Sequence, residues 1–171
     1  MKNPNRKVHH LAQAAMIAAL YVALAHLQNF LLPGTTSNAI QFRASEAMCI
    51  LAFFTPAAIP GLTLGCLLFN LTSGAALPLD FLMGSAATLL AAWGMWASRD
   101  LKVRGLPLLG LSFPALFNAL IVGGELTLYF GGGFFMNALY VAIGELAVLF
   151  TLGIMLYIAL VKAGADHRFF G

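Results

Sequence analysis

The chain has 171 residues, of which 61% are hydrophobic and only 9% charged. A soluble domain carries about a quarter charged residues, so there is too little polar side chain here to cover a water-facing surface. The net charge is +3, but no basic run is interleaved with aromatics, which leaves nucleic-acid binding without support. What remains is an all-α integral membrane protein, one domain over residues 1–171, with room for six spans of about 20 residues each.

Backbone polar groups in lipid are satisfied inside a helix or a closed barrel, and long apolar runs without alternation argue for helices. The first helix is predicted over 8–32, ending at Pro33-Gly34. Its basic lead, Lys2 to His10, is similar to the start of a signal peptide. The apolar run goes on well beyond the about 7–15 residues of such a segment, so it is read as a span. A polar loop, Thr35 to Gln41, leads to a second helix beginning near Arg43 and stopping around Thr55-Pro56. Pro56 and Pro60 mark a tight apolar turn, since both cannot sit inside one regular helix. A third helix is predicted over 61–75 and, after Pro78, a fourth over 79–98. The fifth falls within 105–129, where Pro114 either kinks it or marks a late start. The Gly131-Gly132-Gly133 loop precedes a sixth over 135–162. The second and third are short for a hydrocarbon core of ~30 Å at ~1.5 Å per residue. They read either as short spans or as a re-entrant pair.

Charge placement gives the sidedness. Lys2, Arg6 and Lys7, then Arg99, Lys102 and Arg104, then Lys162 and Arg168 are eight of the nine basic residues. With six spans they gather on one side, together with Asp100 and Asp166. The positive-inside rule makes that side, and both termini, cytoplasmic. The expected location is a cell membrane, crossed several times.

Five charges are left in or beside the spans, and ionisable residues there are costly enough to be functional candidates. They are Arg43, Glu46, Asp80, Glu125 and Glu145. Asn118 lies seven residues before Glu125, two turns away on the same helix face, while Asn137 and Tyr140 sit at the outer start of the sixth helix. This set is biased to the outer half and suits a pocket that opens outward. Simpler roles stand beside the functional one. Arg43 and Glu46, three apart, form a possible helix-start pair. Asp80 is a possible N-cap, and Asn118 a possible interhelical bond. Glu125 and Glu145 have no cation in the apolar runs that neutralises both, so either one is protonated or a cationic or donor-rich ligand supplies the partner.

Ala15, Ala19 and Ala23 recur at four-residue spacing on the first helix, a pattern that lets another helix approach closely. The partner is either within the same bundle or a separate membrane subunit. Cys49 and Cys66 lie in apolar runs and read as small core residues, without metal-ligand spacing. His9, His10, His26 and His167 form no ligand-like group. Phosphate-loop, zinc-protease and nucleophile-elbow motifs are missing, so neither ATP hydrolysis by that route nor a cofactor is nominated.

Three stretches carry a family resemblance. Gln41-Phe-Arg-Ala-Ser-Glu-Ala47, Phe54-Thr-Pro-Ala-Ala-Ile-Pro-Gly61 with Gly65-Cys-Leu-Leu-Phe-Asn70, and Leu79-Asp80-Phe with Gly84-Ser85 and Thr88-Leu89 together resemble the QueT family. Its members are similar to the substrate-binding S components of energy-coupling factor (ECF) transporters. The resemblance implies a six-helix S-component bundle that captures a queuosine precursor from outside. A 7-deazaguanine such as 7-aminomethyl-7-deazaguanine, or queuine, is the implied ligand. It also implies a transmembrane coupling subunit and two ATPase subunits as partners, with Ala15, Ala19 and Ala23 facing the coupling subunit. Arg43, Glu46, Asp80, Asn118, Glu125, Asn137, Tyr140 and Glu145 are then the substrate-binding candidates, with carboxylates taking the N–H edge and the amine.

Two other readings stand against this one. The first is a self-sufficient secondary transporter acting as a homodimer, although no internal repeat of the usual kind is visible. The second is an intramembrane enzyme using Glu125 and Glu145 as paired acid and base.

Overall fold

The computed structural model describes residues 4–36, 40–74 and 76–164. Lys2, Asp166, His167 and Arg168, and residues 37–39 of the polar loop, therefore lie outside the described residues. Helix α1 spans Pro4–Leu31 and is followed by a 3-10 helix, η1, over Ala44–Phe53. Next come α2 (Ala58–Thr72), α3 (Asp80–Ala97), the single turn α4 (Leu108–Leu111) and α5 (Phe113–Phe130). A last helical column is made of α6 (Phe134–Val148), a π-helical segment (Leu149–Gly153) and α7 (Ile154–Lys162).

Contacts between neighbours fix the direction of each element. Thr55 Oγ1 donates to Gln13 Oε1 at 3.3 Å and Tyr21 donates to Glu46, so η1 runs against α1. Gly61 packs on Ala14, and His26 Nε2 lies 2.9 Å from Thr72 Oγ1, so α2 returns alongside α1. Asn70 Nδ2 donates to the Asp80 carbonyl at 2.8 Å where α3 begins, and Gly94 meets Phe113 near its far end. Gly123 of α5 abuts Ala138 of α6, and the column then descends beside η1, with Gln41 against Gly144 and Ile50 against Gly153. The chain thus traverses the bundle six times in alternating directions. Helix η1 and α2 form an antiparallel pair inside the bundle, both shorter than the three stretches long enough to span a membrane.

The type of the short helix extends its reach. A 3-10 helix rises ~2.0 Å per residue against ~1.5 Å in an α-helix, so ten residues reach about 20 Å rather than about 15 Å. Helix η1 is enclosed: Ser45 to Ile50, Ala52 and Phe53 are all buried. Around it lie Tyr21, Leu62, Met95, Leu111 and Leu149, each fully buried. Outside, Leu20, Leu68, Trp93, Leu120 and Met155 are exposed, an apolar belt suited to lipid rather than water. Three helical stretches, Arg6–Leu31, Leu108–Phe130 and Phe134–Lys162, are long and apolar enough to span a membrane.

The two faces of α1 divide its alanines. Ala14, Ala18 and Ala25 are buried, and Gly61 and Gly65 of α2 let the backbones meet there. Ala15, Ala19 and Ala23 are exposed, so packing inside the chain's own bundle is not their role. Pro114 stands in the first turn of α5 and marks the late start, where a missing N–H costs nothing. Arg6, Lys7, Arg99, Lys102, Arg104 and Lys162 all fall at one end of the bundle by this topology, hereafter the basic end. Arg99 closes α3 there, donating to the Trp96 carbonyl at 2.8 Å with its guanidinium 4.0 Å from the Trp96 ring.

Candidate functional site

Arg43 precedes η1 in an extended conformation, φ −105° and ψ 99°, held by the polar crossing from α1. Gln28, near the end of α1, donates to the Phe42 carbonyl and accepts from the Ala44 amide at 2.7 Å. That side chain brackets Arg43 on both sides, and Arg43 Nε donates to the Thr36 carbonyl at 3.3 Å. Gln28 is a positioning residue that the sequence reading missed. Its signal was a buried amide one turn before the helix stop.

Around Arg43 the fold gathers four carboxylates from four elements: Glu46 of η1, Asp80 of α3, Glu125 of α5 and Glu145 of α6. All five side chains are at least 94% buried, and each carboxylate is within electrostatic reach of the guanidinium. Among the described residues Arg43 nonetheless makes no ion pair; the one present is Arg99–Asp100 at 3.7 Å. The helix-start pairing of Arg43 with Glu46 is therefore not what forms. Glu46 instead accepts from the Tyr21 hydroxyl, and from Cys49 Sγ at 3.2 Å. A hydroxyl from α1 and a thiol one turn along outcompete a guanidinium held toward the loop.

Asp80 is the first residue of α3, with Leu79 in the N-cap position and no side-chain cap bond. The N-cap reading is corrected accordingly. Its carboxylate reaches backward, accepting from the Leu77 amide at 2.7 Å, and so closes the turn that holds Pro78 and Leu79. Asp80 also lies within side-chain hydrogen-bond reach of the Glu125 carboxyl, a contact that two carboxyl groups make by sharing a proton. Glu145 Oε2, Asn118 Nδ2 and Asn70 Oδ1 have no hydrogen-bond partner, and Glu125 has none apart from its contact with Asp80. Buried polar atoms are paired in the great majority of cases, so these groups are the candidates for contact with a ligand.

Depth separates two levels. Gly123 and Ala138 stand side by side. Glu125 is two residues outward from that point and Glu145 seven residues inward, about 13 Å apart along the axis at ~1.5 Å per residue. Asn118 falls near the lower level. A cavity of about 10 Å³ beside Arg43, Asn70 and Asp80 reaches toward the upper level, near the limit for a single water. A larger ligand requires the surrounding side chains to part.

Two of the expected residues are placed differently. Asn137 Nδ2 donates to Thr127 Oγ1 at 2.9 Å and to the Gly131 carbonyl at 3.1 Å. Its amide thus latches the α5–α6 connection, where Gly131 and Gly132 take positive φ of 71° and 77°. Tyr140, one turn inward from Asn137, is half-buried. Cys49 and Cys66 are free and buried, and no metal-ligating group occurs among the described residues.

The family model described as QueT transporter matches residues 11–162. The chain belongs to the QueT transporter family. QueT proteins are ECF-type S components, so this chain is a membrane transporter component and not an enzyme. The separation of Glu125 and Glu145 agrees, since an acid and a base working on one bond need to meet at it. No curated protein and no solved structure matches the chain. The QueT match includes every buried charge of the site and the whole exposed face of Ala15, Ala19 and Ala23.

Proposed function

We propose that this QueT protein captures a queuosine precursor, a 7-deazaguanine, at the end of the bundle opposite the basic residues. A transmembrane coupling subunit and two ATPase subunits then use ATP to release it across the cell membrane. The observation that carries this reading is the excess of buried carboxyl groups, four around the single Arg43, with Glu125 meeting only another carboxyl, Asp80, and one oxygen of Glu145 unpaired. A ligand with adjacent N–H donors along one edge and an ammonium at the other end answers two acceptors at two depths. The 7-aminomethyl form has both features, and charge-assisted bonds of this kind are the stronger class. Asn118 Nδ2 is a spare donor for the ring carbonyl.

The exposed alanine face of α1 supports docking on the coupling subunit, because small residues let another membrane helix approach closely. The six described basic residues at one end support a cytoplasmic position for that end and for both termini.

Calorimetry on the purified protein tests the reading. Binding of 7-aminomethyl-7-deazaguanine, with guanine and unrelated vitamins giving none, is the expected result. Uptake in cells should require the ATPase subunits. The proposal sinks if no deazapurine binds and uptake proceeds from this chain alone.

A further inference from the structure

The foot of α1 projects past the turn that starts α2. Gly61 packs at the level of Ala14, so Arg6 lies eight residues farther, about 12 Å, toward the basic end. The turn itself, Thr55 to Ala58, is held by the Ala57 amide donating to Thr55 Oγ1 at 3.3 Å and the Ala58 amide donating to the Thr55 carbonyl at 3.2 Å. Pro56 and Pro60 bring no N–H of their own. Between foot and turn the surface opens into a groove of about 1020 Å³.

The lining of the groove is divided by chemistry. Arg6, Lys7 and His10 bring nitrogen groups, and no acidic side chain lines it. Its wall is apolar, with Leu11 and Leu64 both largely exposed. That wall continues up the lipid-facing side of α2 through Leu68 and Leu71, also exposed. Cationic groups at the depth where the basic residues gather, above an uninterrupted apolar track, match an amphiphile with an anionic head and hydrocarbon tails. A soluble anion would use the head of the groove and leave the track uncovered. Basic pockets between membrane helices on this side are suited to anionic lipid head groups.

We infer that the groove between the foot of α1 and the Pro56–Pro60 turn is a binding site for an anionic phospholipid. Arg6, Lys7 and His10 hold its phosphodiester, and its acyl chains lie along Leu11, Leu64 and Leu68. None of these residues belongs to the carboxylate site at the other end. The groove also touches Ala15, so a lipid seated there borders the exposed alanine face of α1.

The test is native mass spectrometry of the full chain in detergent with added phosphatidylglycerol or phosphatidylcholine, and with inorganic phosphate as a competitor. Retention of phosphatidylglycerol over phosphatidylcholine is expected, unaffected by millimolar phosphate. The variant R6Q/K7Q/H10Q should lose about fivefold in preference for each of the two basic residues. The charge-conserving R6K/K7R should keep the preference, as should R99Q/K102Q/R104Q, which removes three cations from the same end. Four results would overturn the inference. They are no preference for the anionic lipid, equal loss in the R99Q/K102Q/R104Q variant, displacement by inorganic phosphate, or lost co-purification of partner subunits with R6Q/K7Q/H10Q while lipid retention is unchanged. The last would assign the groove to an acidic protein segment instead.

Discussion

Gly144 of α6 faces the carbonyl of Gln41 so closely that a Cβ on the glycine would overlap the oxygen and stand 2.9 Å from the carbonyl carbon. The chain entering η1 is thereby laid directly on α6, two residues before Arg43 and beside Glu145. Both obstructing atoms are backbone, so neither moves without displacing the segment. G144A is expected to weaken deazapurine binding at least tenfold in calorimetry and to destabilise the fold by about 1–3 kcal/mol through overpacking. G133A, where nothing lies within 4 Å of the added carbon and φ is −84°, should change neither. Equal behaviour of the two variants would show that the contact does not set the site.

Glu125 and Glu145 separate affinity from stability. Burying a carboxyl group that lacks good partners is destabilising, so E125Q and E145Q should leave the thermal midpoint unchanged or raise it. Ligand affinity should fall ten- to a hundredfold, since a charge-assisted bond is replaced by a neutral one. Natural proteins keep such locally unfavourable groups where activity requires them. A parallel drop in stability and affinity would instead assign the two glutamates to the fold.

Tyr21 and Glu46 make the opposite case. Y21F removes the hydroxyl that one Glu46 oxygen accepts from, leaving a fully buried acceptor unpaired at a cost of about 1–3 kcal/mol. A thermal or denaturant scan should show that loss. C49A, which removes a weaker thiol donor at 3.2 Å, should cost less. The order of the two effects is the check.

The alanines of α1 give a prediction on either face. A19L adds bulk to an exposed position and should leave stability and ligand binding of the isolated chain intact, while abolishing ATP-driven uptake with the partner subunits. A18L adds the same bulk where Ala18 meets Gly65 of α2 and should destabilise the protein by about 1–3 kcal/mol. Normal uptake by A19L would place the docking face elsewhere.

Much of this architecture is legible in the sequence because lipid imposes simple rules. Helix ends follow Pro33-Gly34, Pro78 and the triple glycine, and the late start at Pro114 is where the fifth helix begins. The five charges in the apolar runs are the ones that converge, because so few other places in a bilayer protein tolerate them. What escaped notice depends on neighbours. The segment 47–53 is apolar on every face, and an evenly apolar run has no period to tell a 3-10 helix from an α-helix. The π-helical turn at Leu149–Gly153 is hidden for the same reason. Spacing put Arg43 and Glu46 within reach of each other, but it could not foresee that Tyr21, twenty-five residues earlier, already serves Glu46. Asn137 read as a ligand group because the sequence does not say that Thr127 and the Gly131 carbonyl lie beside it.

The enclosure of η1 has a consequence for biogenesis. A ten-residue segment led by an arginine and carrying a glutamate is a poor candidate for independent insertion into a bilayer. The long apolar stretches Arg6–Leu31, Leu108–Phe130 and Phe134–Lys162 are good ones. The central traverse therefore depends on helices synthesised as much as a hundred residues after it, and a nascent chain that stops before α6 has no protein wall on one side of η1. The charged end of the site emerges from the ribosome early, yet its enclosure is complete only once Gly144 and Gly153 have been made.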